Sequence, residues 1–495
     1  MQRRDFIKNT LASAATLTVA TKASSLAVFG SAANAYDNLD YSQGWESVVQ
    51  DSLANLDMDI SGTIPAELTG NYFRNGPAKM ERAGVRYHHW FDGDGMIQKF
   101  KIDNNGIQHS AQFVHTRKYI EEEKAQQFLY TGAGTVIENG RPVRNNDTGN
   151  TANTALQVWD DELLALWEGG SAYSLNPETL ATNGIKTWHE DLVGMPFSAH
   201  PVIDHKGFMW NFGAAPYAGK NGKIFIYKIA PKTGLKTVKM IDMPFKGYMH
   251  DFAQTEQSLV FFIPPYTHTK HGAKTFVDSF EWKPDAGSKI LVVDKNDLSQ
   301  HKWFDLPAGF VFHFGHASEE RGLLQVNMCW YDSPSLMQQG MKDLMINGNQ
   351  NESSHALATT FIANLKTGKS NLVKSNVALE FPMFASGLNR ANDIIFGVSK
   401  SDNTRSRDNR LTAFNPYDGV QDYFDYNDGI LIEEPYLVES NIQKEAHIFQ
   451  TFLDVKNGQS GINIFKANNL KQGPIAQATM KRTIPLGFHG TFLKA

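Results

Sequence analysis

Four histidines in this chain are crowded by aromatic or small residues: Phe197-Ser-Ala-His200-Pro, Tyr248-Met-His250-Asp-Phe252, Phe310-Val-Phe-His313-Phe-Gly and Leu486-Gly-Phe-His489-Gly-Thr-Phe492. Neutral imidazole is the commonest metal ligand that proteins use. His489 is the oddest of the four, because a backbone so close to its last residue frays unless something ties it down. The reading that accounts for all four is convergence on one metal ion. Ligation through one ring nitrogen leaves the other in need of an acceptor, frequently a carboxylate. Glu168, Glu380 and Glu445 stand in apolar contexts, where an unpaired charge is costly. Taken singly, each histidine reads as a core or surface residue and each glutamate as a turn or bulge residue. The combination is what suggests a site.

Composition narrows the chemistry. Of 495 residues, 41% are hydrophobic and 20% charged, the balance of a folded soluble protein. The formal net charge of −5 comes without a basic block, which argues against nucleic acid as a partner. One cysteine, Cys329, leaves no intramolecular disulfide and no cysteine-built zinc or iron–sulfur site, whereas 16 histidines are available. The 32 Phe suit a large β core and an apolar substrate tunnel.

The elements that must position these residues read as strands. From about residue 150, short runs such as Leu163–Leu166, Lys223–Ile229 and Lys289–Asp294 alternate with turns rich in Asn, Asp, Pro, Gly and Lys. No long amphipathic helices alternate with them, so a parallel βαβ sheet is not expected. The Asn-Gly-Pro turn at 75–77 and the Asp-Gly-Asp-Gly turn at 92–95 predict a hairpin. The rhythm points to a β-propeller, with an array of β-sandwiches as the competitor. Around a propeller axis, histidines far apart in sequence can meet. Two stretches break the rhythm: Glu121–Tyr130, a candidate short helix or lid, and Leu336–Met345, with apolar residues at helical spacing. The second is expected to pack on its own core, with peripheral membrane contact for substrate uptake as the alternative.

Seven segments, in order from Gly70 to Phe492, resemble the carotenoid cleavage oxygenase family. That family includes carotenoid and apocarotenoid dioxygenases, lignostilbene-type dioxygenases and the retinal pigment epithelium retinoid isomerase. The segments include Tyr72-Phe-Arg-Asn-Gly-Pro77, His89-Trp-Phe-Asp-Gly-Asp-Gly-Met96, Leu163-Leu-Ala-Leu-Trp-Glu-Gly-Gly170, Ser198-Ala-His-Pro201, His250-Asp-Phe-Ala-Gln-Thr-Glu256 and Gly487-Phe-His-Gly-Thr-Phe492. The resemblance implies a seven-bladed β-propeller, with short helices and loops capping one face over the metal centre. It implies one non-haem Fe(II) per chain on the axis, held by His200, His250, His313 and His489. By the same resemblance Glu168, Glu380 and Glu445 carry the ligands' outer nitrogens, and Thr154 crowds an open coordination position. Two matches depart from the pattern. His316 takes the slot where the family has asparagine and is an available rival to His313, and the proline that follows the third glutamate is replaced by Ala446.

The implied activity is dioxygenation of an apolar alkene with O2, cleaving a C=C bond of a carotenoid or apocarotenoid into two carbonyl products. A stilbene or phenylpropanoid alkene is the alternative, and its phenol would need a polar anchor such as Lys118-Tyr119. A structural zinc site and a metal-free scaffold are the other readings. The N-terminus carries a twin-arginine pattern, Gln2-Arg-Arg-Asp-Phe-Ile-Lys8, an Ala/Thr-rich stretch and a small-x-small site at Ala33-Asn-Ala35. Residues 1–35 are therefore expected to be an export signal read by the twin-arginine machinery. Residues 36–495 would then be a single propeller oxygenase domain in the periplasm.

Overall fold

The computed structural model describes residues 39–270, 272–347, 355–384, 394–401, 409–439 and 445–495. The expected export segment lies outside the described residues. No helix among them is long and apolar enough to cross a membrane.

Seven antiparallel sheets form the blades of a β-propeller. Blade 1 has the order Ser52–Asp57, Gly106–Phe113, Asp94–Asp103, Gly70–Lys79 and Gly490–Lys494. Blades 2 to 6 are four-stranded, running in sequence from Ala155–Trp159 to Gly419–Asp425. Blade 7 pairs Asp59–Gly62 with Ala476–Met480, Gln459–Lys466 and Ala446–Asp454, which in turn pairs with both Ile430–Ile432 and Tyr436–Glu439. Each chain end thus supplies a strand to the blade formed mainly by the other: an early strand edges blade 7, and the last strand completes blade 1. The register joins Arg74 to Gly490 and Asn71 to Leu493. This double closure answers the fraying problem around His489.

The strands form because their side chains bury on both faces. Val-, Ile-, Leu- and Phe-rich runs such as Ser258–Ile263 are buried at every position, as expected for sheets packed against neighbours on two sides. The core is distributed between adjacent blades. Val260, Phe262 and Ile290 of blade 4 meet Val311, Leu324 and Phe361 of blade 5, and Tyr72 and Phe100 of blade 1 meet Phe449 and Ile462 of blade 7.

Both non-strand stretches are helical. The first helix spans Arg117–Ala125, four residues earlier than the acidic run suggested, because Thr116 caps it by accepting the Tyr119 N–H at 3.0 Å. It is no lid. Lys118 and Glu122 are fully buried on its underside, where Lys118 Nζ meets Asp94 at 2.8 Å and Glu122 at 2.9 Å. The second is a π-turn at Leu336–Gly340 running into an α-helix at Met341–Asn347. Met337 packs with Tyr266 and Phe310, and Leu344 and Met345 pack with Trp45.

Candidate metal centre

The seven inner strands each present one side chain at the same end of the axis. Thr154 directly precedes Ala155–Trp159 of blade 2, His200 precedes Val202–Ile203 of blade 3, and His250 precedes Phe252–Gln254 of blade 4. His313 lies near the start of Phe310–Glu320 in blade 5, and Glu380 opens Glu380–Phe384 in blade 6. Glu434 joins the two inner pieces of blade 7, and His489 precedes Gly490–Lys494, now part of blade 1. Propeller geometry gathers residues that no local sequence relation connects.

The four imidazoles converge. One nitrogen from each of His200, His250, His313 and His489 lies within 4.8 Å of all the others. The Nε2 atoms of His200 and His250 are 3.1 Å apart, and those of His313 and His489 3.2 Å. The outer nitrogens explain which way the rings face. His250 Nδ1 is 2.6 Å from Glu168 Oε2, His313 Nδ1 is 2.6 Å from Glu380 Oε2, and His489 Nδ1 is 2.8 Å from Glu434 Oε1. An ionised carboxylate only accepts, so each Nδ1 carries the proton and each Nε2 turns a lone pair inward. Facing lone pairs repel unless a cation stands between them. Either a proton is shared within each close pair, or one metal ion serves all four nitrogens. For a metal–nitrogen bond of about 2.0–2.1 Å, adjacent ligands of one ion lie about 3 Å apart. The two short separations match that value, so the four residues fit a single metal ion.

Each glutamate is itself held. The Tyr248 hydroxyl donates to Glu168 at 2.9 Å, and the Tyr331 hydroxyl to Glu380 Oε1 at 2.8 Å. Glu434 Oε2 accepts the Gly490 N–H at 3.0 Å and lies 3.4 Å from Arg74 Nη1. Arg74, 1% exposed, also donates to Glu433 Oε1 at 3.2 Å and to the Phe488 carbonyl at 2.9 Å. His200 differs: its Nδ1 is 4.0 Å from Asp251 Oδ1. Asp251 instead accepts the Phe252 N–H at 2.7 Å and the Phe314 N–H at 2.9 Å, which links blade 4 to blade 5 beside His313.

Burial favours the neutral form at two of the four rings. Burial, reinforced by the neighbouring imidazoles, holds His200 and His489 well below the usual histidine range. Burial would also lower His313, but the Glu380 charge and hydrogen bond outweigh it and raise this ring. Burial pushes Glu434 up to about 7 against the pull of Arg74, and pushes Asp251 up to about 6. For Glu380, burial is outweighed by the His313 charge, which leaves the carboxyl below its ordinary value.

A cavity opens directly onto this centre, with about 1060 Å³ of space between atoms counted out to its solvent-exposed mouth. Its wall includes His250, His313, His489 and Thr154, while His200 is not part of it. Most of the rest is apolar, including Trp45, Trp90, Phe312, Leu379, Phe381 and Phe488. Leu336, Met341 and Leu344 of the second helix also border it, so that helix packs on the core and walls the cavity at once.

The structure corrects one assignment. Glu445 is not at the centre: its side chain is 39% exposed and pairs with Lys466 at 3.5 Å. Glu434 stands on His489 instead, because the inner edge of blade 7 runs through residues 430–439 and residue 445 lies one strand further out. The signal was present in the sequence. Glu434 is followed by Pro435, the proline missing after Glu445. His316 is outside the cluster, its ring against Phe384 at 5.6 Å. Lys118 is buried among carboxylates and does not border the cavity. Thr154 borders it, and its hydroxyl donates to Asn153 at 3.1 Å.

Comparison with known proteins agrees with this architecture. Residues 45–494 match the family model described as retinal pigment epithelial membrane protein. The chain is 33% identical over 316 residues to the apocarotenoid-15,15'-oxygenase of Synechocystis sp., covering 60% of this chain and 63% of that one. It is 27% identical to carotenoid 9,10(9',10')-cleavage dioxygenase 1 of Pisum sativum over 482 residues, covering 88% and 86%. It is 29% identical to isoeugenol monooxygenase of Pseudomonas putida, covering 55% and 57%. The match thus spans less than two thirds of the first and third of these relatives. The crystal structure of cobalt-substituted Synechocystis apocarotenoid oxygenase superposes with a TM-score of 0.80 at 24% identity, over 92% of this chain and 98% of that one, a likeness of fold. With its seven blades, its four axial histidines and a family match over nearly the whole described chain, the protein belongs to the carotenoid cleavage oxygenase family.

Proposed function

We propose that the protein is a non-haem Fe(II) dioxygenase, with one iron per chain, that cleaves a C=C bond of a carotenoid or apocarotenoid into two carbonyl products. The observation that carries this reading is a cluster of four inward-facing imidazoles, three of which line an apolar, aromatic cavity. Iron, when bound by His200, His250, His313 and His489, supplies the oxygen-activating chemistry. The chain's own residues do the rest. Glu168, Glu380 and Glu434 hold the protons on the outer ring nitrogens and provide negative charge that four neutral ligands lack. The Phe and Trp side chains take up the apolar alkene and exclude water around it. Thr154 narrows the approach from blade 2.

Two of the cavity's polar neighbours are already engaged within the protein. Glu433 is occupied by Arg74 and Gly487, and the Ser399 hydroxyl is shared with Thr412 at 2.8 Å. The second reading, a phenolic alkene, is favoured by the similarity to isoeugenol monooxygenase. It needs a polar anchor, and the Lys118 anchor expected for it is turned away into its own ion cluster. The twin-arginine pattern at residues 2–8 supports export to the periplasm as a folded protein. The test is to load the protein with Fe(II), offer an apocarotenal and a hydroxystilbene under labelled oxygen, and identify products by mass spectrometry. Labelled aldehydes from the apocarotenal are expected. Products from the stilbene alone would overturn the substrate choice, and unlabelled or absent products the oxygenase reading.

A further inference from the structure

Phe381 follows Glu380 in the innermost strand of blade 6, and its backbone is left-handed, with φ of +52°. A bulky residue rarely adopts that conformation, and where one does the surroundings must hold it there. Leu180 is the other large apolar residue so placed among the described residues, and it lies in the packed core between blades 1 and 2. Phe381 alone of the two borders the cavity. The pairing of its strand with Ile395–Ser399 also shifts register between Glu380 and Met383, so the chain is bent at this residue.

The bend achieves two things. It folds the Phe381 N–H back onto Glu380 Oε2 at 2.7 Å, the same oxygen that takes His313 Nδ1 at 2.6 Å. It also sets the Phe381 ring 5.1 Å from the His313 ring and 5.5 Å from the His489 ring. Glycine would adopt this backbone without steric conflict, so the first effect needs no phenyl group. The ring therefore has a separate role, and its position indicates which. It closes the cavity where two of the four imidazoles meet it.

We propose that Phe381 is a specificity-determining residue: its strained backbone fixes a ring against which the substrate's double bond is registered at the four-histidine centre. The inference rests on the alkene-cleavage reading above. Removing the wall lets a polyene slide by a double bond without altering the ligands.

The test uses the iron-loaded full chain with Phe381→Ala, Phe381→Gly and Phe381→Leu, an apocarotenal, product identification, metal analysis and thermal unfolding. Phe381→Ala is expected to keep its metal, to lose about tenfold to a hundredfold in kcat/KM through misplacement, and to release a second pair of carbonyl products from a neighbouring double bond. Phe381→Gly is expected to unfold at a higher temperature than Phe381→Ala, since both lack the ring and the alanine keeps the unfavourable backbone. Phe381→Leu, which loses the flat ring but keeps a branched apolar side chain, is expected to show the altered product ratio to a smaller degree with full metal content, and serves where the smaller side chains prevent folding. An unchanged product ratio in metal-replete variants overturns the inference while wild-type cleavage leaves the oxygenase reading intact. Loss of metal with an unchanged ratio also overturns it, as a purely structural role. A wild-type protein inert toward every alkene offered overturns the oxygenase reading and this inference together.

Discussion

The three glutamate-backed corners of the centre are of two kinds. At His250 and His313 the supporting glutamate accepts a hydrogen bond from a neutral phenol, Tyr248 or Tyr331. At His489 the supporting Glu434 lies beside a buried guanidinium, and Arg74 also grips Glu433 and the Phe488 carbonyl. A phenol orients a carboxylate and brings no charge of its own. A guanidinium compensates the charge, and its planar fork ties several acceptors at once. The difference follows topology. His250 and His313 precede or lie in strands flanked by sequence neighbours, whereas His489 sits where the strand Gly490–Lys494 pairs with the early strand Gly70–Lys79. That junction has the extra ionic clasp.

The largest predicted effect attacks the clasped corner as a whole. Deleting residues 484–495 removes His489, the last strand of blade 1 and the buried side chains Ile484, Leu486 and Phe488. Because single large-to-small core changes cost about 2–5 kcal/mol, calorimetry should show a loss above about 5 kcal/mol, together with loss of bound metal. His489→Ala should lose the metal with far less effect on unfolding; a variant that retains a full metal complement would break the four-histidine assignment. Next comes Arg74→Met, which leaves two buried carboxylates without their cation and should destabilise by about 3–5 kcal/mol. If chemical denaturation finds it no worse than Tyr331→Phe, the distinction between the corners fails. Glu434→Gln should weaken metal affinity about 10–100-fold in a chelator competition, and Glu445→Gln should leave it unchanged. The reverse pattern would restore Glu445. Smallest are Tyr248→Phe and Tyr331→Phe, each removing one hydrogen bond of about 0.5–1.5 kcal/mol; equal effects from both would sharpen the view that these two corners are alike.

Much of this centre was legible before the fold was known, and the reason is local. Each histidine had aromatic or small neighbours because it lies at or near an inner strand of its blade, Glu380 had apolar neighbours for the same cause, and Glu168 had them because it follows the buried second strand of blade 2. Glu434 was missed because it follows another acid, Glu433, and nothing in the local sequence shows what would compensate two buried carboxylates. Burying both requires Arg74, about 360 positions earlier in the chain. The acidic run at 121–123 gave the helix but not its burial: Glu122 is buried against Lys118, a partner one helical turn away. The left-handed backbone of Phe381 had no sequence signature, since glycine or asparagine is the residue that announces such a turn.

Sequence by itself pointed to the all-β character, to the four histidines that cluster and to the family, because strand rhythm, turn chemistry and motif identity are properties of short segments. The tertiary structure decided which carboxylate serves His489, what tethers the chain's last strand, and how a phenyl ring comes to face two imidazoles. Those are relations between segments far apart along the chain, and they exist only once the seven blades close into a ring and bring every inner strand to one axis.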